Sequence, residues 1–408
     1  MPQAEKDFLQ VVSCCFEKGR NLPTLDDNTL IAVLEFSAIH NVLPLVCSEL
    51  STVYSESEAL KKYKTAAMRQ AMAQMTRTNR FLALYRELSA RGVRALCVKG
   101  ITLRTLYVDG ECRPSTDEDL LIEKEQLALF CSVMSEQGFS LRKKTETEVS
   151  FFDKKTSLIV EANTLLFSLG GDVGKALTRL FDSPFENTAV MSVGGTEILT
   201  LSPKMNVLYL VCHAFKHFIH SGFGIRQVCD IAVFIDKYKN EINFSDLRKS
   251  LSELGAEIFF ETLIDTSANE LGFTGLLPLA GRGPADRTGF IEDILKAGVY
   301  GRGETSRAHS ALLTLSAVEN RDGSGSCWRA VFPKRDALAA KYPALERFPV
   351  LYPCYATLRI AKYAGDVVLN KKGTGTPLES MEIAKRRLEL MKQLKIIPSN
   401  EKPKEDTL

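Results

Sequence analysis

The residues best suited to chemistry form one short run, Asp117-Glu118-Asp119-Leu120-Leu121-Ile122. Read as a strand, it sends side chains i and i+2 to one face, so Asp117 and Asp119 point together at about 6.6 Å spacing while Glu118, Leu120 and Ile122 face the other way. Like charges that close repel, and a hard divalent cation held between them removes the cost. An acidic turn ahead of an ordinary strand has the same sequence, so neighbouring residues must decide. Lys99-Gly100 ends the apolar run Val93 to Val98. The lysine offers a point charge to phosphate and the glycine lets a ligand approach the backbone, although a plain strand-ending turn reads alike. Arg113, just upstream of the acidic run, can grip a phosphate with two hydrogen bonds or pair with one of the carboxylates. Glu161 ends the apolar stretch Leu158 to Glu161, where a carboxylate suits facing a metal, a partner charge or water. Glu148, opening the preceding strand, competes for that role.

Farther along, His213, Lys216, His217 and His220 recur at helical spacing and put three imidazoles and an ammonium on one face, opposite Leu208, Val211, Cys212, Phe215 and Ile219. Such a face is structural or solvated, lines a phosphate or acceptor site, or ligates a metal. No HExxH glutamate accompanies it, and the nearest acid is Asp230 in the next helix. If the helices close over the strands, His217 stands as a general base near neutral pH. Asp230 is expected to pair with a histidine or with Arg226.

The elements that must position these residues can be read from period and punctuation. Residues 1–90 read as helical: Thr29 to Phe36 has apolar positions at helical spacing, and Thr65 to Ala90 lacks Gly and Pro. From Gly92 the period changes to a mixed α/β unit over 91–200. It comprises the strand Val93 to Val98, a helix through Tyr107, the strand Glu118 to Ile122, a helix from Lys124 to Gln137 stopped by Gly138, and a hairpin of Val149 to Phe152 with Leu158 to Glu161. After the turn Val193-Gly194-Gly195-Thr196, Ser202-Pro203 opens a helical region over 201–275. A loop-rich segment follows over 276–330, then a helical segment over 331–395 with an amphipathic helix from Ser380 to Lys395, and a charged tail over 396–408 that is expected to be disordered. Aromatic-Pro dipeptides near Trp328 suggest an extended segment wrapping a core. The expected class is α+β: a small mixed β-sheet with large helical N-terminal and C-terminal additions.

Composition bounds the function. With 408 residues, 45% apolar and 25% charged, the chain can bury a real core, which excludes a disordered or collagen-like polymer. Fifty-two Lys plus Arg against 50 Asp plus Glu leave a net charge of +2, so no global field draws it to nucleic acid or to an acidic membrane, and any polyanion site must be local. The 10 cysteines show no CxxC pair, which suits free thiols in a reducing, cytoplasmic setting. The first residues, MPQAEKDFLQVV, do not read as an export signal, and the apolar-rich stretch Met205 to Phe215 falls well short of a bilayer span of about 20 residues.

The run Cys97-Val98-Lys99-Gly100-Ile101-Thr102-Leu103, then Leu106-Tyr107, then Arg113 and Asp117-Glu118-Asp119-Leu120-Leu121-Ile122 resembles the "LKG…LY…R…D-x-D-LLV" signature of the uncharacterised bacterial nucleotidyltransferase-like family, within the polymerase-β-type nucleotidyltransferase superfamily. The likeness continues through Leu201-Ser202-Pro203, Leu208 to His217, Ile225 to Ala232 and the aromatic-Pro dipeptides. The resemblance implies a nucleotidyltransferase core in which Asp117, Asp119 and, as the third carboxylate, Glu161 are catalytic and hold Mg²⁺, with Mn²⁺ as a substitute, on a nucleoside triphosphate such as ATP. Lys99, Gly100, Arg113, His213 and His217 would then bind substrate. The acceptor would be a small molecule, a peptide or a protein; no membrane is expected as a partner, and the near-neutral charge gives no strong nucleic-acid signal. Transfer of the γ-phosphoryl group uses the same geometry, and a degenerate member would hold a nucleotide, peptide or partner protein without turnover. The chain departs from the family after Glu161, where it reads Ala162-Asn163-Thr164. It also departs at Glu118, where the family commonly has Ile, and at Lys99-Gly100, which replaces the superfamily's Gly-Ser loop.

Overall fold

The computed structural model describes residues 1–167, 171–220, 222–298, 352–353, 355 and 377–397. The helical leader resolves into α1 (Gln3–Cys14), α2 (Asp27–Ile39), α3 (Leu43–Leu50) and α4 (Glu58–Ala90). The starts of two of them are set by side-chain caps: Asp26 accepts the Thr29 N–H at the head of α2, and Ser57 accepts the Leu60 N–H at the head of α4. Free of Gly and Pro, α4 runs unbroken for 33 residues.

The mixed unit follows as β1 (Ala95–Cys97), α5 (Ile101–Arg104), β2 (Asp117–Ile122), α6 (Leu127–Glu136), β3 (Ser140–Lys144), β4 (Glu148–Asp153), β5 (Leu158–Asn163), α7 (Gly171–Leu180), β6 (Thr188–Val193) and β7 (Thr196–Leu201). The helix expected through Tyr107 stops at Arg104, and the one expected from Lys124 begins as a 3-10 turn before α6. All seven strands make one sheet in the order β3-β4-β5-β2-β1-β7-β6. Two pairs, β2 with β5 and β1 with β7, are parallel, and the rest are antiparallel. The fold is therefore α+β. Beyond the sheet come α8 (Pro203–His220), α9 (Ile225–Tyr238), α10 (Phe244–Glu253), α11 (Glu257–Glu270), α12 (Thr288–Ala297) and α13 (Pro377–Gln393).

Strand alternation splits the apolar residues into two cores. One face, with Cys97, Leu120, Ile122, Val149, Val160 and Ala162, packs against Phe81, Tyr85 and Leu88 of α4 and Phe130 and Val133 of α6. The Tyr85 hydroxyl ties helix to sheet by donating to the Ala95 carbonyl at 2.7 Å and accepting from the Leu199 N–H at 2.9 Å. The opposite face, with Leu96, Val98, Leu121 and Leu201, joins a larger core shared with α1 to α3, α8, α9 and α11. A buried histidine knits that core together: His40 accepts the Ile225 N–H at Nδ1 and bonds the Leu295 carbonyl through Nε2 at 3.2 Å.

Among the described residues all cysteines are free thiols, and no helix is long and apolar enough to cross a membrane. Trp328, the Phe332-Pro333, Tyr342-Pro343 and Phe348-Pro349 dipeptides, most of the segment read over 276–330 and the tail from 398 lie outside the described residues.

Candidate active site

The site lies on the sheet face that looks toward α8. Because β2 and β5 run parallel with Asp119 opposite Glu161, these two carboxylates leave adjacent strands on the same face, and Asp117 joins them two residues earlier. Ser150 on β4 stands opposite Glu161 on its other side. Glu148 pairs with Asn163 at the strand end and gives its carboxylate to Lys143 at 2.7 and 2.9 Å, so Glu161 is the third acid facing the pair.

Mutual repulsion is visible in the protonation of the group. Burial, then the charges of Asp119 and Asp117, pushes the Glu161 carboxyl up to about 7. Asp119 is also raised by burial, against the pull of Lys99. Burial works to raise Asp117 too, but the Lys99 ammonium, the Ser115 hydroxyl and Arg226 outweigh it and hold this carboxyl below its ordinary value. An oxygen-only set of three acids with one proton held near neutrality has the chemistry of a hard-cation site. It is not a finished cage. Among the described residues no three His, Cys, Asp or Glu side chains stand close enough together to hold a metal ion, and Lys99 Nζ occupies Asp119 Oδ2 at 3.0 Å.

The opposing wall is the basic face of α8. Lys99 Nζ also meets His213 Nε2 at 3.2 Å, and His217 Nε2 lies 3.3 Å from the same nitrogen. With Lys99 as an ammonium, His213 Nε2 must carry a lone pair, so its ring is neutral. Burial first, and then Lys99, His217 and Lys216, lowers His213 well below its ordinary value, while burial and the same two lysines hold His217 down to about 3. An imidazole that acidic when protonated is a poor proton acceptor at neutral pH, contrary to the base role read for His217. Lys216 is itself lowered by burial and by Lys99.

The turn that delivers Asp117 is fixed at every residue. Arg113 donates through Nε and Nη2 to the two oxygens of Asp230 at 2.6 and 2.7 Å, and the Tyr107 hydroxyl donates to Asp230 Oδ1 at 2.8 Å. The Pro114 carbonyl accepts from Asn41 at 3.1 Å and from Arg226 at 2.5 Å. The Ser115 N–H donates to Gln74 Oε1 at 2.6 Å, its carbonyl accepts from Arg77 Nε at 2.9 Å, and its hydroxyl lies 2.8 Å from Asp117 Oδ1. Arg113 thus pairs with Asp230 and not with the acidic pair, and Asp230 is held by Arg113 and Tyr107 rather than by a histidine or Arg226.

Gly100 also serves a different neighbour from the one expected. Its φ is +71°, and a Cβ there would run into the Glu118 carboxylate, so the close approach the glycine permits is made by Glu118. Glu118, on the far face, accepts the Ile101 N–H at 2.8 Å and forms a buried ion pair with Arg104. The acid that stands where the family commonly has Ile therefore caps α5 and neutralises an arginine.

The structure brings Asp117, Asp119, Glu161, Lys99, His213 and His217 together, engages Arg113 with Asp230 and packs Gly100 against Glu118. Sequence reasoning missed Gln74, Arg77 and Ser115 as parts of the site. For Gln74 and Arg77 a signal existed: two polar residues at i and i+3 on a helix face that is otherwise apolar.

Residues 27–269 match the family model described as uncharacterised nucleotidyltransferase, a span of more than half the chain. Comparison with curated proteins and with solved structures gives no match.

Proposed function

This chain belongs to the uncharacterised nucleotidyltransferase family, and from that membership we propose that it moves a nucleoside monophosphate from an NTP to a hydroxyl or amine acceptor, with Mg²⁺ or Mn²⁺ as the metal. The observation that carries the reading is the register of β2 on β5, which lines Asp119 up with Glu161 on the face that α8 covers with His213 and Lys216, with Lys99 between them. Asp117, Asp119 and Glu161 would hold the metal. Divalent cations bound to such a set acidify the attacking hydroxyl and neutralise the departing pyrophosphate.

The chain's own residues do the rest. Ser115 fixes the Asp117 carboxylate, so one ligand is aimed before anything binds. Lys99 exchanges Asp119 for phosphate oxygens, and Lys216 adds positive charge on the same wall. His213 and His217, both neutral, add hydrogen-bonding groups without adding charge. Glu161 gives up its proton as the site fills.

A second reading, a nucleotidyltransferase fold that binds a nucleotide, peptide or protein without turnover, is favoured by one observation: Lys99 sits on Asp119 where a metal would. Incubating the purified chain with Mg²⁺, each NTP and fractionated small-molecule, peptide and protein acceptors separates the two. The transferase releases pyrophosphate, adds the mass of a nucleoside monophosphate to its acceptor, and loses both in Asp117→Asn and Asp119→Asn. A non-catalytic binder consumes no NTP and keeps its nucleotide affinity in these variants. A product heavier by one phosphate identifies γ-phosphoryl transfer instead.

A further inference from the structure

Arg226 and Gln227 open α9 and are 6% and 8% exposed. Arg226 donates Nη1 to the Pro114 carbonyl, has no carboxylate within ion-pairing distance among the described residues, and leaves Nε buried without a partner. Gln227 accepts the Gly224 N–H at Oε1 at 2.7 Å, and its Nε2 is likewise buried without a partner. Both side chains line a cavity of about 30 Å³ together with Lys99, Arg113, His213 and Asp230. The acceptors on that wall are already engaged: Asp230 takes Arg113 and Tyr107, and His213 Nε2 takes Lys99. What remains open is donors, on a guanidinium that Asp117 and Asp230 balance through space without a direct ion pair. A buried donor without an acceptor is costly until one reaches it.

We propose that Arg226 and Gln227 form a receptor for one oxyanion, a carboxylate or phosphoryl group at the end of a ligand lying in the cleft. The cavity has room for about one or two oxygen atoms, which suits a terminal group and not a nucleoside. Donors alone exclude a metal ion. A water carries no charge, whereas an oxyanion accepts charge-assisted hydrogen bonds from the guanidinium and the amide together. The receptor rests on the transferase reading only for the molecule that carries the group, either the nucleotide's phosphates or an anionic acceptor.

The test is equilibrium binding of inorganic phosphate, pyrophosphate and acetate to the full chain without divalent cations. Gln227→Glu keeps an acceptor for the Gly224 N–H, removes the free donor and adds a negative charge. It is expected to weaken the tightest of these anions by about tenfold or more, as is Arg226→Gln. Gln227→Glu guards against loss of fold in the arginine variant, which also gives up the Pro114 contact. Displacement of the anion by a non-hydrolysable NTP assigns the group to the nucleotide, and simultaneous binding assigns it to the acceptor. If none of the three anions binds the wild-type chain, or if affinities in Gln227→Glu stay within about twofold, the cavity holds only water and the proposal is overturned. None of these measurements needs turnover. An inactive protein whose anion affinity falls in Gln227→Glu therefore sinks the transferase reading alone, and an active one with unchanged affinity sinks the receptor alone.

Discussion

Lys99 Nζ stands 3.0 Å from Asp119 Oδ2 and 3.2 Å from His213 Nε2, so one ammonium joins the acidic face of the sheet to the helix that covers it. A divalent cation must compete with that ammonium for Asp119. Replacing Lys99 with Met removes the competitor, and Mg²⁺ measured by calorimetry without nucleotide should bind about tenfold tighter. NTP consumption in the same variant should fall roughly a hundredfold, because the charge meant for phosphate is gone. Weaker Mg²⁺ binding in Lys99→Met would show that the lysine organises the acids instead of occupying them.

Glu161 gives the site its pH dependence. Its carboxyl is pushed up to about 7 from an ordinary 4.5, first by burial and then by Asp119 and Asp117, so the folded chain holds this proton more tightly than the unfolded one. The stabilisation is complete below about 4.5 and is lost as pH rises through about 7. Glu161→Gln removes the loss. Urea unfolding should find it more stable than wild type by about 1 kcal/mol at pH 8, a figure reduced for the carboxyl's partial contact with solvent, with little difference near pH 5. Mg²⁺ binding should release close to one proton at pH 6.5 in wild type and distinctly less in Glu161→Gln. Equal proton release in the two proteins would remove Glu161 from the metal set.

How much of this could be read from the chain depended on distance along it. The acidic pair was legible because a strand's two-residue period lies entirely within Asp117 to Ile122, and the β4–β5 hairpin because its polar turn separates two apolar runs. The edge strands β3 and β6 were not read. The first has every residue exposed and so shows no apolar alternation, and the second is only half-buried. The parallel pairing of β1 with β7 joins segments about a hundred residues apart, which no local pattern records. Long-range ion pairs behaved the same way. Asp230 is expected to pair with a histidine or with Arg226, both close in sequence, whereas Arg113 supplies the charge from far upstream.

That Arg113–Asp230 pair predicts a large stability effect with an indirect effect on rate. Both side chains are buried, and burial would lower the Arg113 guanidinium were it not outweighed by Asp230, which holds it above its ordinary value. Asp230→Asn leaves the arginine without its counter-charge and should cost about 3–5 kcal/mol in urea unfolding. Adding Arg113→Met to it should recover much of the loss, since a buried pair replaced by apolar groups is far less costly than a broken one. The turn that carries Asp117 loses a tether in either case, so kcat should fall more than KM rises. Simple addition of the two single-variant costs in the double variant would show that the two residues act separately.

Gly100 offers a sharper separation of causes. Ala there meets two obstacles: a backbone at φ +71°, which side-chain-bearing residues rarely adopt, and the Glu118 carboxylate in the space a Cβ would fill. Glu118 cannot easily retreat, because the Ile101 N–H and Arg104 hold it from two sides. Gly100→Ala in the wild-type background should therefore destabilise by about 3 kcal/mol or more, strain and displacement of a buried carboxylate together. Glu118→Ala alone strands Arg104 and is costly in itself, but in that background the additional cost of Gly100→Ala should shrink to the backbone share of about 1–2 kcal/mol. The coupling between the two positions, read from four urea unfolding curves, measures the close approach directly. A cycle that closes additively would mean the glycine is required by its dihedral angle alone, leaving Lys99-Gly100 as an ordinary strand-ending turn with Glu118 merely nearby.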